Sequence, residues 1–374
     1  MFRRILSLVV KEFLHLRKDW WLPAFMLIGG AVELLLVGWA TSRPITNLPL
    51  MVWDQNRTAA SRQLVSELEN TGTFRSPEWV DSLDAIRNAM DRGQVSAAVV
   101  IPPDWGVEIA SPAGHPTLLV ILNGAESTPA LAARRAILGL TRTLDQRIVV
   151  QHLGLDPEAF AGFDPSLRVW FNEDLSEALY TTPAELALML EFTVLLFAAL
   201  TFSRERELGT LEQLLVMPFS SFEIIAGKAI PVILVGFVDF ALMLSMVHFA
   251  FGVPVRGSLP LLFFLALFYL LVELGKGLVL SVISRTQHQA FLLVMLVGMT
   301  DFMFTGYAAP VEGMPQALQW FANLIPAHHW LSIVRGILLK GAGLDVLWPH
   351  VLALLVLGLV IGTFSWRFVR RALD

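Results

Sequence analysis

Six stretches of the chain are long and apolar enough to cross a lipid bilayer. A bilayer core of about 30 Å needs about 20 mostly apolar residues per helix. The stretches lie at roughly residues 21–40, 183–202, 229–251, 259–283, 289–309 and 347–366. Hydrophobic residues make up 55% of the 374 residues and charged residues only 16%, a composition outside the usual range of soluble domains. The sequence therefore predicts an α-helical polytopic membrane protein with six transmembrane helices.

The positions of Lys and Arg predict how these helices are oriented. Six crossings place both termini on one side of the membrane, and positive residues accumulate on cytoplasmic flanks. Such residues precede the first stretch and follow the last: Arg3, Arg4, Lys11, Arg17 and Lys18, then Arg367, Arg370 and Arg371. We therefore expect both termini in the cytoplasm and residues 41–182 outside.

Residues 1–20 carry an amphipathic pattern ahead of the first transmembrane helix at 21–40. Five apolar residues share one helical face, and positive residues lie elsewhere around the helix. The apolar residues are Ile5, Leu8, Val9, Phe13 and Leu16. This pattern is typical of a helix that lies in the inner membrane interface.

Residues 41–182 differ in character from the apolar stretches. The short segments LPLMVWD, VSAAVVI and TLLVILN have the composition of strands, and helical patterns alternate with them. This alternation predicts a small α/β domain inserted between helices one and two. Residues 41–182 contain no nucleophile-elbow motif, zinc-protease motif or glycine-rich phosphate loop, so the sequence does not favour an enzyme.

The segment SRERELGTLEQLLVMPFSSFEIIAGK, at residues 203–228, separates the second apolar stretch from the third. Thr210 and Gln213 have the spacing of a capping box, so a helix should begin at Leu211, and Pro218 should end it. The expected product is a two-turn helix on the cytoplasmic side.

A second capping box, Ser220 with Glu223, should open the helix that continues into the third stretch. Two helix starts so close together predict an elbow with a short helix lying across the membrane face. The short helix is apolar and cannot persist alone in water. We therefore expect another surface to cover it.

Three prolines divide residues 310–346 into apolar pieces that are too short to span the membrane. We expect re-entrant or interfacial helices at the outer surface, with Trp320 and Trp330 at headgroup level. His328 and His329 project in different directions from a helix, so the sequence predicts no metal site here.

The 203–228 segment and the block PVEGMPQALQWFANLIPAHHWLSIVRGILLKGAGLDVLW, at residues 310–348, resemble the type-2 ABC exporter permease family. The resemblance covers essentially the whole chain, and the large external loop is similar to that of the bacterial drug-efflux and export branch. One departure is IPAHHWLSI, where relatives more often have Asn-Pro followed by aromatic residues. The resemblance implies the permease subunit of an ATP-driven exporter in a bacterial inner membrane.

The same resemblance implies that residues 203–228 contain a coupling helix that docks into a cleft of an ATPase. Residues 1–19 would be the connecting helix along the inner surface. The coupling residues would be Glu205, Arg206, Glu207, Gly209, Thr210, Leu211, Glu212, Leu214 and Leu215. We expect the leucines and Met217 to enter the cleft and the charged residues to surround it, while Gly209 permits the turn.

The implied partners follow from what the chain lacks. It has no P-loop motif, so ATP and Mg would be bound by a separate ATPase polypeptide. It also has no Cys, and no cofactor is expected in this chain. The resemblance implies a second permease, identical or paralogous, and allows a periplasmic adaptor (membrane-fusion) protein beside membrane lipid. The sequence contains no Lys/Arg run interleaved with aromatic residues, so nothing indicates that it binds nucleic acid.

Charged residues inside the apolar stretches are costly in lipid and mark function by default. Glu273 and Lys276 are spaced to neutralise each other on one helix, whereas Asp239 and Asp301 should face the protein interior. Both structural hydrogen bonding and a substrate or proton role remain open. The alternatives to an ABC exporter are an ion-coupled secondary transporter that uses these carboxylates, and a membrane sensor with an external ligand-binding domain.

Overall fold

Two units make up the chain: Met1–Arg43 with Val169–Asp374 form one, and Pro44–Arg168 form the other. The computed structural model describes residues 1–42, 45–111, 114–152, 171–172 and 176–373. Parts of the segment predicted as an external domain therefore lie outside the described residues, namely 43–44, 112–113, 153–170 and 173–175.

The chain begins with two helices, α1 (Phe2–Lys18) and α2 (Trp21–Ser42). Helix α1 is amphipathic and buries Leu8 and Val9. Helix α2 is apolar apart from Glu33, yet only 11% of its membrane-length window is buried within the chain. Most of its large side chains therefore face outward, with Leu34 buried, as expected for a helix surrounded by lipid or by another protein chain.

The second unit alternates strands and helices. Its elements are β1 (Leu50–Asp54), α3 (Ala59–Asn70), β2 (Glu78–Trp79), α4 (Leu83–Asp91), β3 (Ala97–Ile101), α5 (Trp105–Ala110), β4 (Leu119–Leu122) and α6 (Ser127–His152). The strands form one sheet in the order β2-β1-β3-β4. Strand β1 runs parallel to β2 and β3, and β4 is antiparallel to β3.

Both faces of this sheet are covered, because alternate strand residues point in opposite directions. On one face Val52 and Val99 pack with Leu64 of α3 and Ile137 of α6. On the other face Ala98 and Val100 pack with Ile86 of α4. The second unit therefore has its own hydrophobic core.

The rest of the first unit is helical. Its elements are α7 (Glu177–Glu207), α8 (Leu211–Val216), α9 (Ser221–Phe251), α10 (Leu259–Ile283), α11 (Gln287–Phe304), α12 (Gln316–Ala322), α13 (Pro326–Arg335) and α14 (Leu344–Leu373). Helix α7 is the centre of the bundle and packs against α2, α9, α10, α11 and α13. Its membrane-length window is 78% buried. At Gly277 of α10, an added Cβ would overlap Ala198 of α7, so a small residue permits this close packing.

Five helices of the described chain are long and apolar enough to span a membrane: α2, α7, α9, α10 and α14. The predicted stretch at 289–309 corresponds to α11, which is not among the five. Polar Gln287, His288 and Gln289 form its first turn, and Asp301 lies near its other end, so its mean hydropathy is lower. A polytopic helical membrane protein is thus established, with five candidate spans.

The region predicted to hold interfacial helices contains a 3-10 turn (Val311–Gly313), α12, α13 and a π-helical turn (Gly336–Lys340). Trp320 is 68% exposed, but Trp330 is fully buried and stacks on Tyr269 of α10, with ring centroids 5.0 Å apart. The prediction that Trp330 lies at headgroup level is therefore wrong. Its indole is part of the bundle core, because α13 packs against α7 and α14.

Candidate functional site

The site consists of the elbow between α7 and α9 and of the helix α1 that packs against it. Helix α7 ends in a Schellman motif. The Gly209 N–H donates to the Arg206 carbonyl at 3.2 Å, and the Thr210 N–H donates to the Glu205 carbonyl at 2.9 Å. Gly209 has a φ of +69°, a left-handed conformation that glycine adopts at little cost. The predicted role of Gly209 in the turn is confirmed.

Helix α8 begins at Leu211, as predicted, but without the expected capping box. Thr210 has helical backbone angles (φ −91°, ψ −10°) and its side chain caps no N–H of α8. Its hydroxyl instead donates to the Glu205 carbonyl at 3.3 Å. The prediction of a Thr210–Gln213 box is wrong because Thr210 already closes the end of α7. Helix α8 ends at Val216, one residue earlier than expected.

The second capping box is present. The Ser220 hydroxyl accepts from the Glu223 N–H, and the Glu223 carboxylate accepts from the Ser220 N–H at 2.9 Å. Arg4 of α1 donates to the Pro218 carbonyl at 2.9 Å and lies 3.9 Å from the Glu223 carboxylate. The start of α9 is therefore fixed both by its own cap and by the first turn of α1.

The apolar residues of α8 divide into two groups. Leu214 is only 3% exposed and belongs to the core of the bundle, against which Leu211 is partly buried. Leu215 is 40% exposed, Val216 87% and Met217 48%. The prediction that Leu214 enters a partner cleft is wrong, because the chain's own core already covers this side chain.

An ion-pair network, here called the elbow network, holds α1 against α7 and α9. Lys228 of α9 is almost completely buried, and its ammonium lies 2.9 Å from the carboxylates of Glu12 and Glu205. Lys11 contacts Glu205 at 2.6 Å. Lys228 also donates to the Thr201 carbonyl at 3.3 Å. Two cations and two carboxylates balance, so buried charge is compensated here.

Glu205 was predicted to contact a partner from the surface, and the elbow network shows that this is wrong. Its side chain is 6% exposed and is already paired with two lysines. The sequence contained one usable signal, since Lys11 and Glu12 are adjacent on an amphipathic helix. Their pairing with residues about 200 positions away could not be derived from local spacing.

The other predicted coupling residues tie the elbow to the turn between α10 and α11. Arg206 donates to the carbonyls of Val282 and Ser284 at 2.8 and 2.6 Å. Glu207 accepts from the backbone N–H of Gln287 at 2.7 Å. Glu212 is exposed on α8. The end of α7 is therefore hydrogen-bonded to the end of α10 and to the start of α11.

A cavity of about 620 Å³ lies between α1, the end of α7, α8 and α9. Leu8, Phe197 and Val232 supply part of its apolar lining, and Arg204 and His15 part of its polar lining. Arg204 also forms an ion pair with Asp19. Burial lowers the pKa of His15; Glu12 opposes this effect and Lys11 adds to it. His15 is thus favoured in its neutral form among these cations.

A second group of charges, here called the core cluster, lies inside the bundle. The Lys276 ammonium of α10 is 2.6 Å from Asp301 of α11, 2.8 Å from Glu273 and 3.1 Å from Glu191 of α7. The predicted pairing of Glu273 with Lys276 and the interior position of Asp301 are confirmed. The participation of Glu191 was not predicted, because it depends on the packing of α7 against α10.

Asp239 of α9 is fully buried, as predicted, and lies outside the core cluster. Thr193 interacts electrostatically with its carboxylate, but neither carboxylate oxygen has a partner in hydrogen-bonding geometry. Within the described ranges, no group of three His, Asp or Glu residues is arranged to hold a metal ion.

A bundle with five apolar helices of membrane-spanning length, in the described part of the chain, defines a polytopic membrane protein. The chain belongs to the ABC-2 transporter family: the family described as ABC-2 family transporter protein matches residues 20–367. The family resemblance seen in residues 203–228 and 310–348 is therefore confirmed.

Similar proteins extend over nearly the whole chain. The probable multidrug ABC transporter permease YbhR of Escherichia coli K12 is 28% identical over 99% of each chain. The inner membrane transport permease YhhJ of the same strain is 27% identical over 95% of this chain and 94% of its own. ABC transporter G family member 20 of Dictyostelium discoideum is 21% identical over 94% of this chain, which spans 48% of that protein. The chain is a transport subunit rather than an enzyme.

Proposed function

We propose that this chain is the permease of an ATP-driven exporter in a bacterial inner membrane, that two permeases form the translocation path, and that a separate ATPase binds ATP and Mg. The observation that carries this proposal is the elbow. It presents Leu208, Leu215, Val216 and Met217 to the outside, although four exposed apolar side chains on a short connection are costly in water.

The elbow is also built to transmit force. A two-turn helix is unstable alone, but α8 is anchored by Leu214 in the core and by the Schellman motif before it. The exposed side chains would enter the ATPase cleft, while Arg206 and Glu207 pass the movement to α10 and α11. The proposed coupling contact therefore consists of the residues at the end of α8 rather than of the leucine face that the sequence predicted.

The proposed topology places both termini and residues 203–228 in the cytoplasm and residues 41–182 outside. Helix α11 serves as the sixth crossing, since 18 residues give a length of about 27 Å, close to the bilayer core of about 30 Å. Helices α2 and α14 are each only 11% buried. Their exposed faces are available to lipid, to a second permease or to a periplasmic adaptor.

The substrates are proposed to be drug-like molecules, because two relatives carry the description probable multidrug ABC transporter permease. The elbow does not support the alternative of an ion-coupled secondary transporter, because without an ATPase the elbow would have no partner to contact. A sensor is also disfavoured, since the family is one of transporters.

The coupling proposal is tested by the double substitution of Leu215 and Val216 with Asp. We expect the ATPase to be lost from the detergent-solubilised complex and transport to stop, while the permease dimer persists in the same sample. Val107→Asp is the matched control, because Val107 is 71% exposed but lies on α5 of the other unit. Full ATPase retention with normal transport in the double variant would refute the coupling role.

The topology is tested with single cysteines, since the chain contains none. Arg87 and Glu212 are both exposed. An impermeant thiol reagent added to intact cells with a permeabilised outer membrane should label Arg87→Cys and not Glu212→Cys. The reverse pattern would overturn the proposed orientation.

A further inference from the structure

Three imidazole rings lie close together between α13 and α14. His328 and His329 belong to α13, and His350 belongs to α14. The ring centroids of His329 and His350 are 5.4 Å apart, and that of His328 lies 5.2 Å from the first and 6.2 Å from the second. His329 is buried, and the other two rings are half-buried. Neither the elbow network nor the core cluster includes these side chains.

Backbone carbonyls determine where the hydrogens lie on two of these rings. The Nε2 atom of His329 is 3.0 Å from the Asn323 carbonyl oxygen, and the Nδ1 atom of His328 is 3.1 Å from the Thr305 carbonyl oxygen. A carbonyl oxygen can only accept, so each of these nitrogens carries a hydrogen. In the neutral form of His329, the Nδ1 atom is therefore bare and can accept a hydrogen bond.

His329 and His350, here called the histidine pair, face each other through their Nδ1 atoms. These atoms are 3.1 Å apart, which is the distance of a hydrogen bond, and only one hydrogen fits between them. Either His350 donates to a neutral His329, or a cationic His329 donates to a neutral His350. When both rings are cationic, both Nδ1 atoms carry a hydrogen and neither can accept. The contact is therefore compatible with at most one positive charge on the pair.

The surroundings also oppose a second positive charge. The titratable side chains that act on the histidine pair from outside it are His328 and Lys340, and no carboxylate of the described chain acts on either ring. Burial lowers the pKa of His329; the Asn323 carbonyl opposes this effect, and His328 and His350 add to it. Lys340 is exposed, so water screens its charge. A doubly protonated pair would have no counter-ion within this site.

We propose that the histidine pair is a pH-sensitive contact between α13 and α14. The contact is closed while the two rings share at most one positive charge, and it opens when both rings have taken up a proton from water. The two cations then repel each other across the former hydrogen bond. The open state binds one proton more than the closed state, so the contact stabilises the fold fully above the ordinary His pKa of about 6.5 and loses this contribution as the pH falls.

Opening should release only one side of α13. The bond from His328 to the Thr305 carbonyl survives protonation, because the Nδ1 atom of His328 carries a hydrogen in both charge states. At the other end of α13, the Arg335 guanidinium carbon lies 3.9 Å from the ring centroid of Tyr180 on α7. Helix α13 should therefore stay attached to α7 and α11 while its first turn separates from α14. This inference depends on the charges of this chain and not on an ATPase.

The test is amide hydrogen exchange of the purified full-length permease in lipid nanodiscs, with wild type and His350→Asn compared at pH 8 and at pH 5. An Asn amide can still donate to the Nδ1 atom of His329, but it cannot become a cation. Peptides that cover α13 should exchange equally in the two proteins at pH 8, and severalfold faster in wild type at pH 5. Each comparison is made at one pH, so the intrinsic pH dependence of exchange cancels.

His288→Asn is the matched control, because His288 is exposed at the start of α11 and lies outside the histidine pair. It should exchange as wild type does at both pH values. If the α13 peptides of His350→Asn exchanged at pH 5 as fast as those of wild type, or faster, the proposal would be refuted.

Nitrogen-15 NMR of wild type with labelled histidine tests the contact without any substitution, so the proposal stays testable if His350→Asn fails to fold. The Nδ1 nuclei of His329 and His350 should be coupled through their hydrogen bond at pH 8. At pH 5 this coupling should disappear as both rings become cationic. Absence of the coupling at pH 8, or its persistence at pH 5, would overturn the assignment.

Discussion

The elbow network and the core cluster both enclose a lysine between helices, but their charges are combined differently. In the elbow network, Lys228 shares two carboxylates with Lys11, so cations and anions are equal in number. In the core cluster, Lys276 alone faces three carboxylates. The first arrangement is neutral without any bound ion, and the second is not.

This difference indicates that the elbow network and the core cluster have different roles. A neutral network can act as a permanent clamp, since its energy does not depend on a proton, and it fixes α1 to the elbow whatever the state of the transporter. An unbalanced cluster responds to its surroundings, because its net charge changes whenever one of its carboxyl groups binds or releases a proton. We therefore assign the elbow network to mechanical transmission and the core cluster to a state-dependent contact.

The largest effect is expected from Lys276→Met, which removes the only cation of the core cluster. Removing one partner of a buried ion pair costs about 5 kcal/mol at the upper end of its usual range. The folded variant should then bind more protons than the unfolded chain, so its stability should rise as the pH falls. The measurement is the unfolding midpoint of purified permease as a function of pH.

Lys340→Met is the control for this experiment, because Lys340 is exposed and its removal should change the midpoint little. A Lys276→Met midpoint equal to that of the control at every pH would show that the cluster is not held by its charge. The distinction between the two charge groups would then be lost.

A smaller effect is expected from Lys228→Met. Glu12 and Glu205 lose a shared partner, but Lys11 still contacts Glu205 at 2.6 Å, so the cost should be about 3 kcal/mol. Because α1 is the helix released, limited proteolysis should cut between α1 and α2 before the bundle unfolds. Equal proteolysis of wild type and variant would argue against a clamp, and Lys18→Met, which alters an exposed lysine of α1, provides the control.

The sequence predicted the helices better than the contacts. Apolar length located α2, α7, α9, α10 and α14, and the segments LPLMVWD, VSAAVVI and TLLVILN coincide with β1, β3 and β4. The spacing of Glu273 and Lys276 gave their pair because it is local to one helix. Glu191 joined the cluster only through packing between helices, and no periodicity in one segment contains that information.

The errors in the site have the same origin. Leu214, Leu215 and Val216 are equally apolar in sequence, and only the position of the bundle decides that Leu214 is inside and Val216 outside. Thr210 fitted a capping box by spacing, but its hydroxyl closes the preceding helix. A short helix between two long ones offers too few turns for a pattern to show which face is covered.

Gly209→Ala separates the backbone turn from the elbow network. A Cβ at this position would meet no atom within 4 Å, so the cost is conformational and should be about 1 to 2 kcal/mol for a left-handed residue. Transport should fall because the Schellman motif that orients α8 is weakened. Gly313→Ala is the matched control, since Gly313 is equally open and has no positive φ. Equal transport by the two variants would mean that the turn does not orient α8.

The smallest effect is expected from Lys11→Met, which removes the other cation of the elbow network. The Lys11 side chain is 35% exposed, so water screens its contact with Glu205, and its loss should cost at most about 1 kcal/mol. Glu205 keeps its 2.9 Å contact with Lys228, which should preserve the position of α1.

Lys18→Met is again the control, and the measurement is the unfolding midpoint beside that of Lys228→Met. If Lys11→Met destabilised the permease as much as Lys228→Met, the network would depend on its total charge. If its effect is much smaller, the buried Lys228 is the residue that clamps α1 to the elbow, and charge balance alone does not describe the network.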